Sequence, residues 1–126
     1  MYSHMMVGSN NIDRSKKFYD ALFKSIGGPE AITDPKGRLM YMHNNGIFMV
    51  TPPINGEAAT AGNGMTVGFA MESPDQADAW HKAGVEAGGT SIEDPPGVRE
   101  NPGMNLYLAY LRDPDGNKLC ALHRMG

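Results

Sequence analysis

The sequence has very little cysteine, no long apolar run and no excess of charge of one sign. Its single cysteine, Cys120, excludes an intrachain disulfide framework and an all-cysteine metal site. No stretch approaches the roughly 18 apolar residues of a membrane span, and the N-terminus has no signal-peptide pattern. Eleven Lys and Arg against 14 Asp and Glu give a net charge of -3, which disfavours binding to nucleic-acid phosphates. We therefore expect a cytoplasmic protein without a nucleic-acid or membrane partner.

Glycine, proline and methionine are abundant instead. The 126 residues include 16 glycines, 9 prolines and 10 methionines, and 40% of them are hydrophobic. This length and composition are typical of one globular domain with a substantial core. The glycines and prolines indicate many tight turns, and the methionines suit an adaptable apolar interior or pocket.

The order of predicted elements occurs twice along the chain, with a strand, a helix and further strands in each half. Helices are predicted from a cap at Asn10 or Asn11 to Gly27-Gly28, and from a cap at Ser73 to Gly88-Gly89. The predicted strands are residues 2–7, 39–42, 47–51, 65–71, 106–111 and 118–122. The sequence thus predicts an α+β fold in a single domain, 1–126, made of two βαβββ modules at about 1–54 and about 64–126.

Two motifs in this pattern resemble those of a known superfamily. The segment NNIDRSKKFYD at 10–20 follows the first strand, and DPDGNKL at 113–119 leads into the last strand. Both are similar to motifs of the vicinal oxygen chelate superfamily, which includes glyoxalases, bleomycin-resistance proteins and extradiol dioxygenases. The resemblance implies a cupped mixed sheet with helices on its outer face and a small-molecule site in the concave face. It also implies a homodimer, whose contact would cover open strand edges.

The resemblance further implies where metal-dependent relatives carry their ligands. These positions fall on His4, Met49, Thr66 and Cys120 of this sequence. Only His4 has a side chain usual at such a position, and a thioether or a neutral hydroxyl does not replace a carboxylate around a hard divalent ion. We therefore expect no cofactor, and a divalent metal held by His4 stays as the less favoured alternative.

Two residues are candidates for catalysis, and each also has a structural interpretation. His4 carries an imidazole, a group suited to acid–base chemistry, or it only lines a cavity through a hydrogen bond. The Tyr110 phenol is a donor to a substrate oxygen, or it only closes the core. The candidates for ligand binding are Met6, Met49, Thr66, Leu108 and Cys120.

Some of the ligand-binding candidates keep two interpretations as well. Cys120 is either a small buried hydrophobe or a reactive thiol that needs His4 as its base. Thr66 either donates to a ligand or only favours a strand. Four charged residues are expected to be structural, namely Arg38, Arg99, Asp113 and Asp115, and the alternative for one of the two arginines is contact with an anionic ligand. Three histidines are expected at the surface, namely His43, His81 and His123.

Two functions of different classes follow from these residues. The leading interpretation is binding or sequestration of an apolar small molecule without a metal, as the resemblance to bleomycin-resistance proteins implies. The alternative is a glyoxalase- or dioxygenase-type enzyme, acting as a lyase, isomerase or oxygenase, with His4 as metal ligand or acid–base group.

Overall fold

The computed structural model describes all 126 residues, whose strands form two mixed sheets. The first sheet has the order β1-β4-β3-β2 and contains β1 (Met5–Gly8), β2 (Ile32–Thr33), β3 (Leu39–His43) and β4 (Gly46–Thr51). The second has the order β5-β9-β8-β6 and contains β5 (Val67–Ala70), β6 (Thr90–Ser91), β7 (Gly97–Arg99), β8 (Leu106–Arg112) and β9 (Lys118–Arg124), with β7 also paired to β8. Helices α1 (Ile12–Lys24) and α2 (Pro74–Glu86) follow the first strand of each sheet. This confirms the predicted α+β fold.

The two modules share one topology. β1 pairs in parallel with β4, and β5 pairs in parallel with β9. The hairpins β3–β4 and β8–β9 are antiparallel. β1 and β5 each lie at the edge of their sheet, with one side unpaired. No strand of one sheet pairs with a strand of the other. Within one chain, the cupped surface that the resemblance implies is therefore split between two sheets.

Both helices begin and end where local sequence signals predict. The Asn11 side chain caps α1 by accepting the backbone N–H of Arg14 at 3.0 Å, and Ser73 caps α2 in the same way. Gly27 and Gly88 follow the helices with φ of 78° and 109°, a left-handed conformation that glycine adopts without steric cost. Neither helix is long and apolar enough to cross a membrane.

One hydrophobic core joins the two modules. Phe18 and Tyr41 of the first module and Trp80 of the second belong to the same buried cluster. The rings of Phe48 and Phe69 lie 5.3 Å apart and connect the modules directly. Each strand turns alternate residues toward this core, so the opposite face of each sheet is left for other contacts.

Two strands are shorter than the sequence predicts. β1 begins at Met5 rather than at residue 2, and β5 begins at Val67 rather than at residue 65. The pairing of β1 with β4 starts at Met5, so the preceding residues have no ladder partner within the chain. His4 and Thr66 therefore precede their strands, and both are exposed.

Candidate functional site

The first module has an apolar surface on the sheet face opposite the core. Met6, Met49 and Met40 lie side by side across β1, β4 and β3, because the register pairs Met6 with Met49 and Met49 with Met40. We name these three residues the methionine row. Met49 is only 7% exposed although it lies outside the core cluster. The structure thus makes Met6 and Met49, two predicted ligand-binding residues, direct neighbours.

His4 lies close to this row in sequence but has few contacts. It is exposed, and its Nδ1 is 2.8 Å from the Ser3 hydroxyl. The ring is open to solvent or to a bound molecule, and its proposed acid–base role stays a prediction.

The second module has a comparable surface on β8 and β9. Tyr110 pairs with Cys120 across the two strands, and Leu108 lies two residues before Tyr110 on the same face. Cys120 is 4% exposed and Leu108 is 8% exposed, again outside the core cluster. The Lys118 ammonium lies 5.0 Å from the Tyr110 ring centroid and pairs with Glu93. We name Leu108, Tyr110 and Cys120 the tyrosine face.

Burial sets the protonation of the tyrosine face. It is the main cause that raises the pKa of the Tyr110 phenol, and the adjacent Cys120 raises it further. Burial also raises the pKa of the Cys120 thiol, although the neighbouring Tyr110 hydroxyl acts in the opposite direction. Both groups are therefore protonated at neutral pH and act as hydrogen-bond donors. A thiolate nucleophile at Cys120 is disfavoured, because it requires a lowered pKa.

The surface beside the tyrosine face is open. Gly68 of β5 pairs with Cys120 of β9, and no atom lies within 4 Å of the position that a Cβ would occupy on Gly68. Thr66 precedes this strand and is exposed. A molecule on the tyrosine face can therefore extend over Gly68 toward Thr66.

The donors within one chain do not fit the metal ion of metal-dependent relatives. No three His, Cys, Asp or Glu side chains are grouped so as to hold a metal. The methionine row offers thioethers, whereas hard divalent ions prefer carboxylates and imidazoles. Glu57, a loop carboxylate, accepts a hydrogen bond from the Asn55 side chain. The expectation of a metal-free protein stays a prediction, because a second copy would add donors.

The predicted site residues form two groups within the chain. The methionine row lies on the first sheet and the tyrosine face on the second, both turned away from the shared core. No hydrogen bond or ion pair of the chain joins them, and His4 has no contact with Cys120 that would make it the base for that thiol.

The two motifs of the family resemblance contact each other. Asp113 is buried and accepts the Tyr19 hydroxyl at 2.5 Å. Asp115 accepts the backbone N–H of Asn10 at 2.9 Å and the Arg14 guanidinium at 2.7 Å. The β8–β9 turn thereby fastens the second module to the start of α1, so these aspartates have the structural role that their turn position predicts.

Other polar residues have structural partners. Arg38 pairs with Asp34 in its own loop, and Arg99 donates to two carbonyl oxygens of the preceding loop. The prediction that three histidines lie at the surface is only partly right, because His43, His81 and His123 are all half-buried. His81 and His123 are held by hydrogen bonds to Ser91 and to the Met71 carbonyl, partners that are distant in sequence.

A separate cavity is lined by His43 and Gly68 together with other residues of both modules. It has a volume of about 250 Å³ between the end of α1, the β3–β4 hairpin and β5. We name it the crevice; its main lining residues are Met5, Phe23, His43, Phe48, Phe69 and Ala70. Sequence reasoning missed it because its walls come from segments up to about 65 residues apart (from Met5 to Ala70). The only part of the crevice that the sequence pattern predicts is the β3–β4 hairpin, which positions His43.

The comparisons with known proteins place the chain in a family. The model of the Glyoxalase/Bleomycin resistance protein/Dioxygenase superfamily matches residues 2–121. The chain belongs to this superfamily, which confirms the resemblance seen in its two motifs. A crystal structure of a glyoxalase/bleomycin resistance protein from Albidiferax ferrireducens T118 is 55% identical, with a TM-score of 0.94, over 98% of this chain and 99% of that one.

More distant structures share the fold alone. A glyoxalase-related enzyme from Fulvimarina pelagi is 19% identical with a TM-score of 0.71, over 98% of this chain and 87% of that one. The fosfomycin resistance protein FosX from Mesorhizobium loti is 12% identical with a TM-score of 0.66, over 98% of this chain and 91% of that one. None of the curated proteins matches the chain.

Proposed function

We propose that the protein binds or sequesters an apolar small molecule without a metal. The observation that carries this proposal is the pair of apolar surfaces opposite the core, in which Met49, Leu108 and Cys120 are buried although they lie outside the core cluster. Methionine and leucine side chains supply an adaptable apolar lining. The protonated Tyr110 phenol supplies one directed donor, which is the usual composition of a ligand site. The single free cysteine, which is buried, fits the reducing cytoplasm that we propose as its compartment.

The complete site needs a homodimer in this proposal. β1 (MMVG) and β5 (VGFA) are short apolar strands with unpaired edges, and uncovered edges of this kind favour association. A twofold axis that sets β1 of one copy beside β5 of the other covers both pairs of edges at once. It also brings the methionine row of one copy toward the tyrosine face of the other.

A mixing experiment tests both the site and its origin in two chains. Light scattering first determines the mass of the protein in solution, and Nile red fluorescence then reports binding to an apolar site. Met49→Glu on the methionine row and Leu108→Glu on the tyrosine face are each expected to abolish dye binding, because a carboxylate there loses its hydration. Ala79→Glu, at an exposed position of α2, is the control that keeps dye binding.

The mixture of the two defective variants gives the decisive result. After unfolding and refolding together, random pairing makes half of the dimers mixed, and each mixed dimer has one intact site of its two. We expect about a quarter of the wild-type dye binding to return. A monomeric mass, or a mixture without any recovery, contradicts a site shared between two chains. Unchanged dye binding in both single variants contradicts the site itself.

The second candidate function is a glyoxalase- or dioxygenase-type enzyme, and one observation favours it. Tyr110 is held protonated on a half-buried face next to the Cys120 thiol, which suits proton donation to a substrate oxygen. Exposed His4 is the accompanying base in this proposal. Screening for lyase, isomerase and dioxygenase turnover, with and without divalent metals, tests it.

Three outcomes of this screen are informative. Turnover that Tyr110→Phe and His4→Ala each reduce by about a hundredfold supports acid–base catalysis by these residues. Turnover that only His4→Ala abolishes, and only when metal is present, supports His4 as a metal ligand. The absence of turnover in every class, together with dye binding, leaves the binding protein as the function.

A further inference from the structure

We propose that the ligand of the tyrosine face carries one anionic oxygen group, such as a carboxylate, and that Arg99 binds this group. The inference rests on the apolar site proposed above and adds the chemical class of its ligand, an apolar molecule with a negative charge at one end. Arg99 is then the residue that determines specificity for a charged ligand over a neutral one.

Arg99 is the half-buried cation of the chain that has no acidic partner. Four lysine and arginine residues are half-buried. Three of them pair with a carboxylate, namely Lys16 with Asp20, Arg38 with Asp34 and Lys118 with Glu93. A cation that has lost part of its hydration is stabilised by an opposite charge. Arg99 leaves the position of that opposite charge free.

Backbone carbonyls hold the Arg99 guanidinium in place. It donates to three carbonyl oxygens at 3.0 to 3.2 Å, those of Asp94, Pro95 and Gly97. These hydrogen bonds fix the side chain, but a carbonyl dipole does not neutralise a full charge. A guanidinium has further N–H donors besides these three, so Arg99 can bind an oxyanion without releasing the loop.

The guanidinium lies over the tyrosine face. Gly97 of β7 pairs with Leu108 of β8, and residues paired directly across antiparallel strands point to the same face. The Arg99 Nη1 lies 3.5 Å from the position that a Cβ would occupy on Gly97, which sets the positive charge beside Leu108. Burial raises the pKa of Tyr110 and of Cys120 most, and the charge of Arg99 acts in the opposite direction at both groups.

This position defines how a ligand would lie on the face. Tyr110 follows Leu108 by two residues of one strand, which is about 7 Å. A ligand with its anion at Arg99 lays its apolar body over Leu108 and reaches the Tyr110 phenol. Lys118, the other cation near Tyr110, is already paired with Glu93. β7 lies on the side of β8 away from β5, so the edge contact of the proposed homodimer leaves Arg99 available.

Two matched fluorescent probes test this class of ligand. Anilinonaphthalene sulfonate and phenylnaphthylamine have the same ring system, and only the first carries an anion. We expect both to bind the wild type. Arg99→Gln is expected to weaken the sulfonate by at least about tenfold and the neutral amine by less than about twofold, because only the sulfonate loses a hydrogen bond between charged groups. Arg99→Lys keeps the charge and is expected to recover part of the sulfonate affinity.

The ratio of the two affinities separates ligand binding from support of the loop. A loosened loop would weaken both probes alike, whereas a lost ion pair weakens only the sulfonate. Lys82→Gln, which removes an exposed cation of α2, is the matched control and leaves both affinities unchanged. Leu108→Glu is expected to abolish binding of both probes, which locates them on the tyrosine face.

Three results overturn the inference. Equal weakening of both probes by Arg99→Gln, or no weakening of either, means that Arg99 only supports its loop, and binding of the neutral amine then still supports the proposed apolar site. Sulfonate binding that survives in Leu108→Glu places the anion elsewhere on the protein. Failure of both probes to bind the wild type contradicts the inference and the proposed function together.

Discussion

At Asp113 one buried carboxylate accepts four hydrogen bonds. The donors are the Tyr19 hydroxyl, the backbone N–H of Asp115, and both the backbone and side-chain N–H groups of Asn117. Burial is the main cause that raises the pKa of Tyr19 well above its ordinary value, followed by the charge of Asp113. The hydroxyl therefore stays protonated and donates. A buried charge with every partner in place is stable, and it becomes costly when partners are removed.

Substitutions at this pair are expected to have unequal effects on stability. Tyr19→Phe removes one donor of four and should lower the free energy of unfolding by about 1 kcal/mol. Asp113→Ala leaves a buried hydroxyl and several N–H groups without an acceptor and should cost about 3 kcal/mol. Urea denaturation measures both, with exposed Glu100→Ala as a control that changes little. An Asp113→Ala variant as stable as this control would contradict the account.

The Cys120 thiol is expected to react slowly in the folded protein. Burial raises its pKa and limits access, and both effects reduce attack by a thiolate. We expect a disulfide reagent at about pH 8 to modify folded Cys120 at least about tenfold more slowly than the same thiol in urea. A reaction as fast as in the unfolded chain would show an activated thiol and would favour the enzyme interpretation.

At the scale of elements, α2 approaches its neighbours at a glycine. A Cβ on Gly84 would lie 2.3 Å from Leu111 Cδ1 and 3.2 Å from Leu22 Cδ1. Both leucines are fully buried, so neither side chain has free space into which it can move. The close contact of α2 with both the sheet and α1 therefore depends on the missing side chain.

Gly84→Ala is expected to destabilise the protein although alanine favours helix formation. The gain in helix propensity is about 1 kcal/mol, and overpacking of a core costs about 1–3 kcal/mol, so we expect a net loss of about 1 kcal/mol. Urea denaturation measures this change. A more stable Gly84→Ala variant would mean that Leu111 repacks easily.

His81 connects α2 to β6 through its hydrogen bond with Ser91. Burial lowers the pKa of His81, partly offset by the charge of Asp78. The unfolded chain, in which the histidine pKa is about 6.5, therefore binds a proton before the folded chain does. The stability that this histidine contributes is complete above about pH 6.5 and is lost as the pH falls toward its lower folded pKa.

The melting temperature of wild type relative to His81→Gln should follow this pH dependence. We expect the difference between the two proteins to be larger at about pH 7.5 than at about pH 5.5, because only the wild type loses stability through this group. A constant difference across this range would show that His81 titrates alike in both states.

At the scale of the whole molecule, the shared core makes the two modules depend on each other. Phe18 and Tyr41 belong to the same buried cluster as Trp80 and Leu111. The contact between Asp115 and the start of α1 adds a polar connection. Each module contributes about half of the core residues, and a module alone would expose its own share to water.

We therefore expect one cooperative unfolding transition for the chain and no stable fold for either module alone. Separate fragments 1–54 and 64–126 should show the narrow amide dispersion of unfolded chains in NMR spectra. Fluorescence and circular dichroism should report coincident transitions for the intact protein. A folded fragment, or two separate transitions, would mean that the chain consists of two domains rather than one.

Much of the fold was predictable because its signals are local. Asn11, Ser73, Gly27 and Gly88 act within one turn of the chain, so the helix limits agree with the sequence pattern. The motifs at 10–20 and 113–119 were sufficient to recognise the superfamily. The strand limits were less predictable, because His4 and Thr66 have strand-like neighbours in sequence but no ladder partner in space.

The candidate site was predictable only in parts. Alternation along a strand places Leu108 and Tyr110 on one face, and the hairpin register adds Cys120. The neighbours across parallel strands, such as Met6 beside Met49, depend on β1 pairing with β4. The sequence pattern alone does not determine that pairing.

By itself the sequence determined the repeated module, the helix ends, the turns and the family, because these depend on interactions between residues close along the chain. Tertiary structure alone decided that the two modules share one core, that the predicted site residues lie on two separate sheets and that a crevice opens beside Phe69. The physical reason is that packing brings together residues far apart in sequence, and the shape of the space between them depends on all of their side chains at once.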